Sequence, residues 1–239
     1  MNGVFISGTD TGVGKSLIAC ALLAGFRRAG LRTAAMKPVA SGSDPTPSGL
    51  RNEDALQLAA WSDCPFPYEV INPYTFQPAI APHIAAAQAG VTIDLQRIEG
   101  LYRRIAAQAD ICVVEGAGGW LVPLDEAPAT TMADLVVRLD IPVVLVVGMR
   151  LGCLNHAMLT AESILARGVA LTGWVANQVM PDMPCVEQNI ETLQRHLPAQ
   201  LLGVVQSLPC ASPEKAESYL DIAGLMELVN AGSGAKITK

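Results

Sequence analysis

The sequence has 239 residues, of which 51% are hydrophobic and 16% are charged. A chain of this length and composition can bury a large core, so an intrinsically disordered protein is excluded. The formal net charge of -6 and the pI near 5.0 offer no basic surface for nucleic acid or anionic lipid, and a cytosolic enzyme acting on small molecules fits better.

Short apolar runs alternate with longer segments of helical period along the chain. This alternation is typical of a parallel sheet with helices on both faces. The predicted strands are 4–7, 33–38, 111–115, 143–148, 173–177 and 202–205. The predicted helices are 15–29, 53–61, 95–108, 132–139, 155–167, 186–196 and 213–229. We therefore predict one α/β domain over 1–230, followed at 231–239 by a flexible tail or an expression remnant.

Two long segments lack this alternation. Residues 40–50 are rich in Ser, Pro and Gly, and residues 64–82 contain several prolines. Loops of this length in a compact domain tend to carry function. The six cysteines are scattered without a Cys-x-x-Cys pair, so we expect reduced thiols that mostly serve packing.

A glycine-rich segment follows the first predicted strand. It contains Gly8, Gly12 and Gly14, and Lys15 and Ser16 open the next predicted helix. In such a loop the backbone N–H groups and the helix start bind phosphate, the lysine reaches the β and γ phosphates, and the hydroxyl binds Mg²⁺. Five residues separate Gly8 from Gly14, one more than in the general motif. The order of strand, Gly-Lys-Ser and helix still favours nucleotide binding over a glycine-rich turn without a ligand.

Acidic residues that could complete a magnesium site lie elsewhere in the chain. Glu115 ends the predicted strand 111–115, which places it at the carboxyl edge of the sheet, where such folds bind ligands. Asp54 is a second candidate, because Mg²⁺ prefers oxygen ligands. The alternative for Asp54 is an acid at a helix start that simply complements the helix dipole.

Lys37 follows three apolar residues at the end of the second predicted strand and precedes Pro38. This setting is unusual for a solvated surface charge. A cation at this place could stabilise a phosphoryl group during transfer. The alternative is a structural ion pair.

Five sequence blocks resemble the dethiobiotin synthetase family, and they span most of the chain in order. They are GTDTGVGKS at 8–16, KPVASG at 37–42, EGAGGW at 115–120, LGCLNHA at 151–157 and WVAN at 174–177. The family's phosphate loop has the same unusual spacing. The resemblance implies a three-layer P-loop NTPase-like α/β fold with a mostly parallel central sheet.

The resemblance also implies a reaction. In this family 7,8-diaminopelargonic acid, CO₂ and ATP give dethiobiotin, ADP and phosphate. One amine captures CO₂ as a carbamate, the γ-phosphate converts the carbamate to a mixed anhydride, and the second amine closes the ureido ring. This chemistry requires positioning and charge neutralisation more than a protein nucleophile.

Residue by residue, the resemblance assigns roles to matching positions of this sequence. The catalytic residues would be Lys15, Lys37 and Thr11. The Mg²⁺ ligands would be Ser16, Asp54 and Glu115. The diamine end of the substrate would contact Thr11, Lys37, Ser41 and the backbone N–H of Gly118. Its carboxylate would lie at a helix start of the partner subunit in a homodimer, formed by Gly152, Cys153, Leu154 and Asn155. The ATP contacts would be Gly12, Val13, Gly14, Lys15, Ser16, Leu17, Asp54, Glu115, Gly118, Asn177, Gln178, Gln206, Ser207 and Leu208.

Three positions depart from the family pattern. Gly12 stands where some members carry glutamate, and Asn189 stands where some carry a tyrosine that helps to hold the substrate carboxylate. Residues 205–208 read Val-Gln-Ser-Leu, where proline and tryptophan are common. The selectivity for the nucleotide base therefore stays open.

Two other classes of protein share this loop architecture. Nucleotide-switched ATPases that act as partner-binding modules carry a second lysine where this chain has Asp10. Amide-forming synthetases of the cobyrinic acid type append a glutaminase domain, for which this chain has no room. Both are less consistent with the sequence than a ring-closing ligase.

Overall fold

Ten strands are present in a computed structural model of the protein, which describes residues 3–126, 130–207 and 212–234. In chain order they are β1 (Gly3–Gly8), β2 (Thr33–Met36), β3 (Val39–Ser41), β4 (Asp44–Thr46), β5 (Gly49–Arg51), β6 (Tyr74–Phe76), β7 (Ile111–Glu115), β8 (Val143–Gly148), β9 (Leu171–Asn177) and β10 (Gln200–Val205). Six of them form one parallel sheet in the order β10-β9-β8-β1-β7-β2. Two small pairs, β3 with β6 and β4 with β5, lie outside it.

The helices of the described residues connect these strands. In chain order they are α1 (Lys15–Arg28), α2 (Glu53–Trp61), α3 (Tyr68–Ile71), α4 (Pro82–Gln88), α5 (Leu95–Ala106), α6 (Met132–Leu139), α7 (Cys153–Ala166), α8 (Val186–His196), α9 (Pro213–Glu217) and α10 (Ile222–Gly234). None of them has the length and apolar character needed to cross a membrane.

Both faces of the central sheet are covered. Side chains of β1 alternate between two apolar clusters: Val4 and Ile6 pack in the cluster that contains α1, and Phe5 packs in the cluster that contains α5, α6 and α7. Because each strand residue meets an apolar layer on its own side, the strand reads as a continuous apolar run. The predicted three-layer α/β fold is confirmed, and the six predicted strands are the six strands of the sheet.

Several predicted boundaries are wrong. The helix predicted over 213–229 is two helices, since Leu220 bridges to Gly203 and the Asp221 N–H donates to the carbonyl of Leu202 at 2.7 Å. The strand predicted over 33–38 ends at Met36, and the helix predicted from 155 begins at Cys153. At the end of the chain α10 extends to Gly234, and 235–239 lie outside the described residues.

The parallel sheet determines where the site lies. All six strands run in the same direction, so their carboxyl ends share one edge. The phosphate loop leaves β1 there, Lys37 follows β2, and Glu115 ends β7. Since β7 lies between β1 and β2, these three segments are neighbours in space.

Candidate active site

The phosphate loop connects β1 to α1 through two glycines with left-handed backbone. Gly12 has φ of 73° and Gly14, the N-cap of α1, has φ of 88°. A Cβ on Gly14 would also collide with the side-chain amide of Asn177. No side chain caps the start of α1 among the described residues, so its N–H groups are available to an anion.

Lys15 lies within the loop and is buried. Its Nζ donates to the carbonyl oxygen of Asp10 at 3.0 Å. Burial, with the nearby charge of Lys37, lowers the pKa of Lys15 to about 8. A phosphate beside the ammonium would favour its charged form, as expected for a residue that binds the β and γ phosphates.

Lys37 forms the centre of a cluster of charged groups. Its Nζ lies 2.6 Å from Oε1 of Glu115 and 2.9 Å from Oδ2 of Asp54. Burial alone would lower the pKa of Lys37, but the two carboxylates outweigh burial and raise it. Burial likewise opposes the charged form of Asp54, and Lys37 outweighs that effect and lowers the pKa of the carboxyl. Lys37 and Asp54 are therefore both charged at neutral pH.

Ser16, one of the three predicted metal ligands, forms a hydrogen bond with another of them. Its Oγ donates to Oε1 of Glu115 at 2.8 Å. The other carboxylate oxygen of Glu115, Oε2, is buried and has no hydrogen-bond partner among the described residues. A hydroxyl and two carboxylates, one of them with an unpaired buried oxygen, form a donor set that suits a hard divalent cation.

A cavity of about 690 Å³ opens over this cluster. Its volume lies in the range of small-molecule sites. Ten of the predicted site residues line it: Thr11, Gly12, Gly14, Lys15, Ser16, Lys37, Ser41, Asp54, Glu115 and Gly118. The Ser41 hydroxyl is buried without a partner among the described residues, so it can bond to a ligand. The opposite wall is apolar and includes residues 79–82 and Val122.

The other predicted nucleotide contacts among the described residues lie outside this cavity. Asn177 ends β9, and its Nδ2 donates to the carbonyl of Val13 at 2.8 Å, so the amide supports the phosphate loop. The Gln178 N–H donates to the carbonyl of Val205 at 2.8 Å, which brings the ends of β9 and β10 together next to Gln206. Ser207 is partly exposed, Leu17 packs against the α1 side of the core, and Leu208 lies outside the described residues.

The predicted carboxylate site is at the start of α7. Gly152 is the N-cap with φ of 96°, and no side chain caps the helix among the described residues. Cys153 is buried, Leu154 is half-buried and Asn155 is exposed. None of the four residues lines the cavity of its own chain. That these residues bind the substrate carboxylate in a partner's active site stays a prediction.

Comparison with known proteins identifies the family. A family model described as an AAA domain matches residues 2–215. An ATP-dependent dethiobiotin synthetase of Cellvibrio japonicus is 51% identical over 223 residues, which cover 93% of this chain and 97% of that protein. One of Pseudomonas aeruginosa, strain UCBPP-PA14, is 51% identical over 226 residues, which cover 94% and 98%. The chain belongs to the dethiobiotin synthetase family.

Solved structures of lower identity share the fold. A cell division protein MinD of Aquifex aeolicus matches with a TM-score of 0.56 at 12% identity, over 99% of each chain. A ParA family ATPase of Chlorobium tepidum matches with a TM-score of 0.53 at 14% identity, over 97% of this chain and 98% of that one. At these identities the likeness extends to the fold alone.

The structure describes the surroundings of Gly12 and Asn189, two positions predicted to depart from the pattern of some family members. Gly12 has open space where a Cβ would stand, so only its left-handed backbone disfavours a side chain there. Asn189 lies on the exposed side of α8, and its Nδ2 donates to the carbonyl of Cys185 at 2.7 Å.

Sequence reasoning missed an ion pair beside the phosphate loop. The carboxylate of Asp10 accepts the N–H of Thr11 at 2.7 Å through Oδ1 and pairs with the guanidinium of Arg150 through Oδ2. Arg150 lies two residues beyond the end of β8, close to the place that Lys37 has after β2. A basic residue shortly after an apolar strand was therefore the signal that could have identified it.

Proposed function

We propose that this chain is an ATP-dependent ligase that forms dethiobiotin from 7,8-diaminopelargonic acid, CO₂ and ATP. The observation that carries the proposal is the meeting of Lys37 with Asp54 and Glu115, at 2.9 and 2.6 Å, in a cavity that includes the phosphate loop. Such a site can orient and neutralise two anions, the substrate carbamate and the γ-phosphate. The names of relatives at 51% identity support the same reaction.

The reaction has three bond-forming steps. An amine nitrogen bonds to the carbon of CO₂ and loses a proton, which gives a carbamate. A carbamate oxygen then bonds to the γ-phosphorus as the bond from that phosphorus to the β,γ-bridging oxygen breaks, and ADP leaves. The second amine attacks the carbamate carbon, the bond from carbon to the phosphate oxygen breaks, and phosphate carries away the proton.

The residues around the cavity fit these steps. Lys15 and Lys37 offset the charge of the carbamate and of the phosphoryl group during transfer. The hydroxyls of Thr11 and Ser41 hold the diamine end, and the backbone N–H of Gly118 adds a further donor. The apolar wall at 79–82 excludes water, which protects the mixed anhydride from hydrolysis.

Mg²⁺ belongs to the proposal. Ser16, Asp54 and Glu115 would hold it together with phosphate oxygens and water. When bound, the ion would offset the negative charge of the phosphate groups. Lys37 contacts both carboxylates, so it would share them with the cation.

A homodimer would complete the site. The uncapped start of α7 offers N–H groups that suit the substrate carboxylate, yet it lies outside the cavity of its own chain. Leu151, immediately before it, is 99% exposed. A partner subunit that covers this segment would bury the leucine and bring the helix start to the neighbouring cavity.

We place this reaction in the cytosol. Five cysteines of the described residues are free thiols, which suits a reducing compartment. The proposed partners are the small-molecule substrates and a second copy of the chain.

Product formation tests the proposal. Purified protein should consume ATP only when both the diamino acid and CO₂ or bicarbonate are supplied, and ADP and dethiobiotin should accumulate in equal amounts. Equal ATP hydrolysis without either substrate, or hydrolysis that depends on DNA or lipid, would contradict the proposal and favour a nucleotide-switched binding protein.

A further inference from the structure

The backbone of Lys37 is held by residues from the second long loop. Lys37 lies beyond the end of β2 and before a proline, outside the hydrogen bonding of the central sheet. Its N–H donates to the carbonyl of Ile71 at 2.9 Å, and its carbonyl accepts from Nδ2 of Asn72 at 2.6 Å. Two consecutive residues of another segment therefore fix both sides of the Lys37 backbone.

Asn52 performs a similar task for the first long loop and for α2. Its Oδ1 accepts the N–H of Ala55 at 3.3 Å and caps the helix that carries Asp54. Its Nδ2 reaches the carbonyls of Ser41 and Gly42 at 3.4 and 3.5 Å. A single asparagine thus connects the first long loop, which contains Ser41, to the start of the helix that carries the predicted metal ligand Asp54.

The hydroxyl of Tyr68 connects the two asparagines. It accepts the N–H of Asn52 at 2.7 Å and donates to Oδ1 of Asn72 at 2.9 Å. Asn52 is 6% exposed and Asn72 is 2% exposed, so the network lies in a medium where hydrogen bonds resist exchange with water. The guanidinium of Arg51 stacks 4.2 Å from the centre of the Tyr68 ring and holds the phenol from outside.

We propose that Asn52, Tyr68 and Asn72 are positioning residues which hold Lys37, Ser41 and Asp54 in register with one another. These three site residues come from three separate segments, and the hydroxyl of Tyr68 is the link between the segment that fixes Lys37 and the one that fixes the other two. A shift of about 1 Å in such a site can cost about 100-fold in rate. The inference rests on the proposed ligase activity, since its effect is measured on that reaction.

A network of this kind could also act only as a stabiliser of the fold. That alternative predicts a loss of thermal stability without any selective change in catalysis. Positioning predicts that kcat falls while nucleotide affinity persists, because among the described residues none of the hydrogen bonds of these three side chains reaches the phosphate loop.

The variant Tyr68→Phe tests the proposal most cleanly, because it removes the hydroxyl and keeps the ring under Arg51. We expect kcat to fall by about 10-fold while the dissociation constant for ATP changes by less than about two-fold. Tyr219→Phe is the matched control, since that phenol is 37% exposed and no hydrogen bond to its hydroxyl is found among the described residues. The Tyr219→Phe variant should keep the wild-type kcat and the wild-type dissociation constant for ATP.

A double-mutant cycle separates positioning from general loosening. If the Tyr68 hydroxyl acts through the first long loop, the effects of Tyr68→Phe and Ser41→Ala on the KM for the diamino acid should be non-additive. Additive effects, a kcat of Tyr68→Phe within about two-fold of the wild type, or an equal loss of ATP affinity would each overturn the proposal. A wild-type protein without diamine-dependent turnover would instead overturn the ligase assignment, so the two failures are distinguishable.

Discussion

At the scale of single residues, the ammonium of Lys37 lies between two carboxylates that are 17 and 78 residues away in the sequence. The structure shows an ion pair for this lysine with the predicted metal ligands, and its catalytic role stays a prediction. Sequence reasoning placed Lys37 after β2, Glu115 at the end of β7 and Ser16 at the start of the helix after β1, which puts all three at the carboxyl edge of the sheet. The pairing of Asp10 with Arg150, 140 residues apart, depends on strand order, which the local sequence does not specify.

Replacement of Lys37 by alanine tests the role of the cation. Lys37→Ala should retain nucleotide binding within about three-fold and lose about 100-fold or more in kcat, since the charge acts on the transferring phosphoryl group rather than on the bound nucleotide. Calorimetric titration with ATP and steady-state turnover measure the two effects. Lys215→Ala, on the exposed side of α9, is the control for loss of one positive charge. Lost binding with normal turnover per bound nucleotide would remove Lys37 from the catalytic residues.

Arg150 supports the phosphate loop through Asp10. In Arg150→Ala the Asp10 carboxylate loses its partner, and the loop that presents Thr11 and Lys15 becomes less ordered. The pair is partly exposed, so we expect a loss of about 1 kcal/mol at most, which corresponds to about a five-fold weaker ATP affinity. Arg195→Ala, on the exposed surface of α8, should leave the affinity unchanged. Equal affinities in the two variants would show that the ion pair does not support the loop.

At the scale of elements, long periodic segments were predictable and short ones were not. The bounds of β7, β8, α2, α6 and α8 agree with the prediction, and the other four central strands overlap their predicted ranges, because burial on a sheet or helix face produces a regular apolar pattern. The strands β3 to β6 have three residues each, and their pairing comes from tertiary contacts rather than from a pattern. The break between α9 and α10 has the same cause, although Asp221, whose Oδ1 accepts the N–H of Gly224 at 2.9 Å, is a recognisable helix cap.

The start of α6 gives a pH-dependent test of stability. Thr131 and Asp134 form a capping box, and Arg167 pairs with the same carboxylate. Burial alone would raise the pKa of Asp134, but the hydrogen bonds from Thr131 and the charge of Arg167 outweigh burial and lower it. A lowered folded-state pKa stabilises the protein above the unfolded-state value of about 3.9, and this contribution is lost as the pH falls through the folded-state pKa.

Asp134→Asn should therefore destabilise the protein at neutral pH and have less effect in acid. Because the carboxylate is partly exposed, the loss at neutral pH should be about 0.5–1 kcal/mol. Urea unfolding of the wild type and the variant, at neutral pH and in acid, measures the difference in free energy of unfolding. Asp182→Asn, on an exposed turn, controls for the change in net charge. A difference that grows as the pH falls would contradict the assigned direction of the pKa shift.

At the scale of the whole molecule, the predicted site for the substrate carboxylate at the start of α7 lies outside the cavity of its own chain, and the proposed dimer would bring it to a neighbouring cavity. Local sequence did not identify the start of α7 as an anion site, and it predicted the helix from 155 rather than from Cys153. The family resemblance was the only sequence-level source for this part of the site. The exposed Leu151 beside the helix start provides a physical test of the proposed shared site.

Leu151→Asp should weaken the dimer and separate the two halves of the site. We expect a shift toward monomer in light scattering and a KM for the diamino acid that rises by about 10-fold or more, while ATP affinity persists because the phosphate loop is intact. Val137→Asp, on α6 at 46% exposure, is the matched control. A monomer with an unchanged KM would exclude the shared site, and an unchanged dimer would exclude Leu151 from the interface.

The path of one oxygen atom tests the proposed reaction most directly. Freshly dissolved C¹⁸O₂ is supplied as the labelled substrate. If a carbamate oxygen attacks the γ-phosphorus and the carbon–oxygen bond later breaks, each released phosphate must contain one oxygen from CO₂. The other oxygen of CO₂ must become the ureido oxygen of dethiobiotin. Mass spectrometry of both products, before the label exchanges with water, measures this transfer. The proposed reaction predicts labelled phosphate in proportion to dethiobiotin, and phosphate whose fourth oxygen comes from water would contradict it.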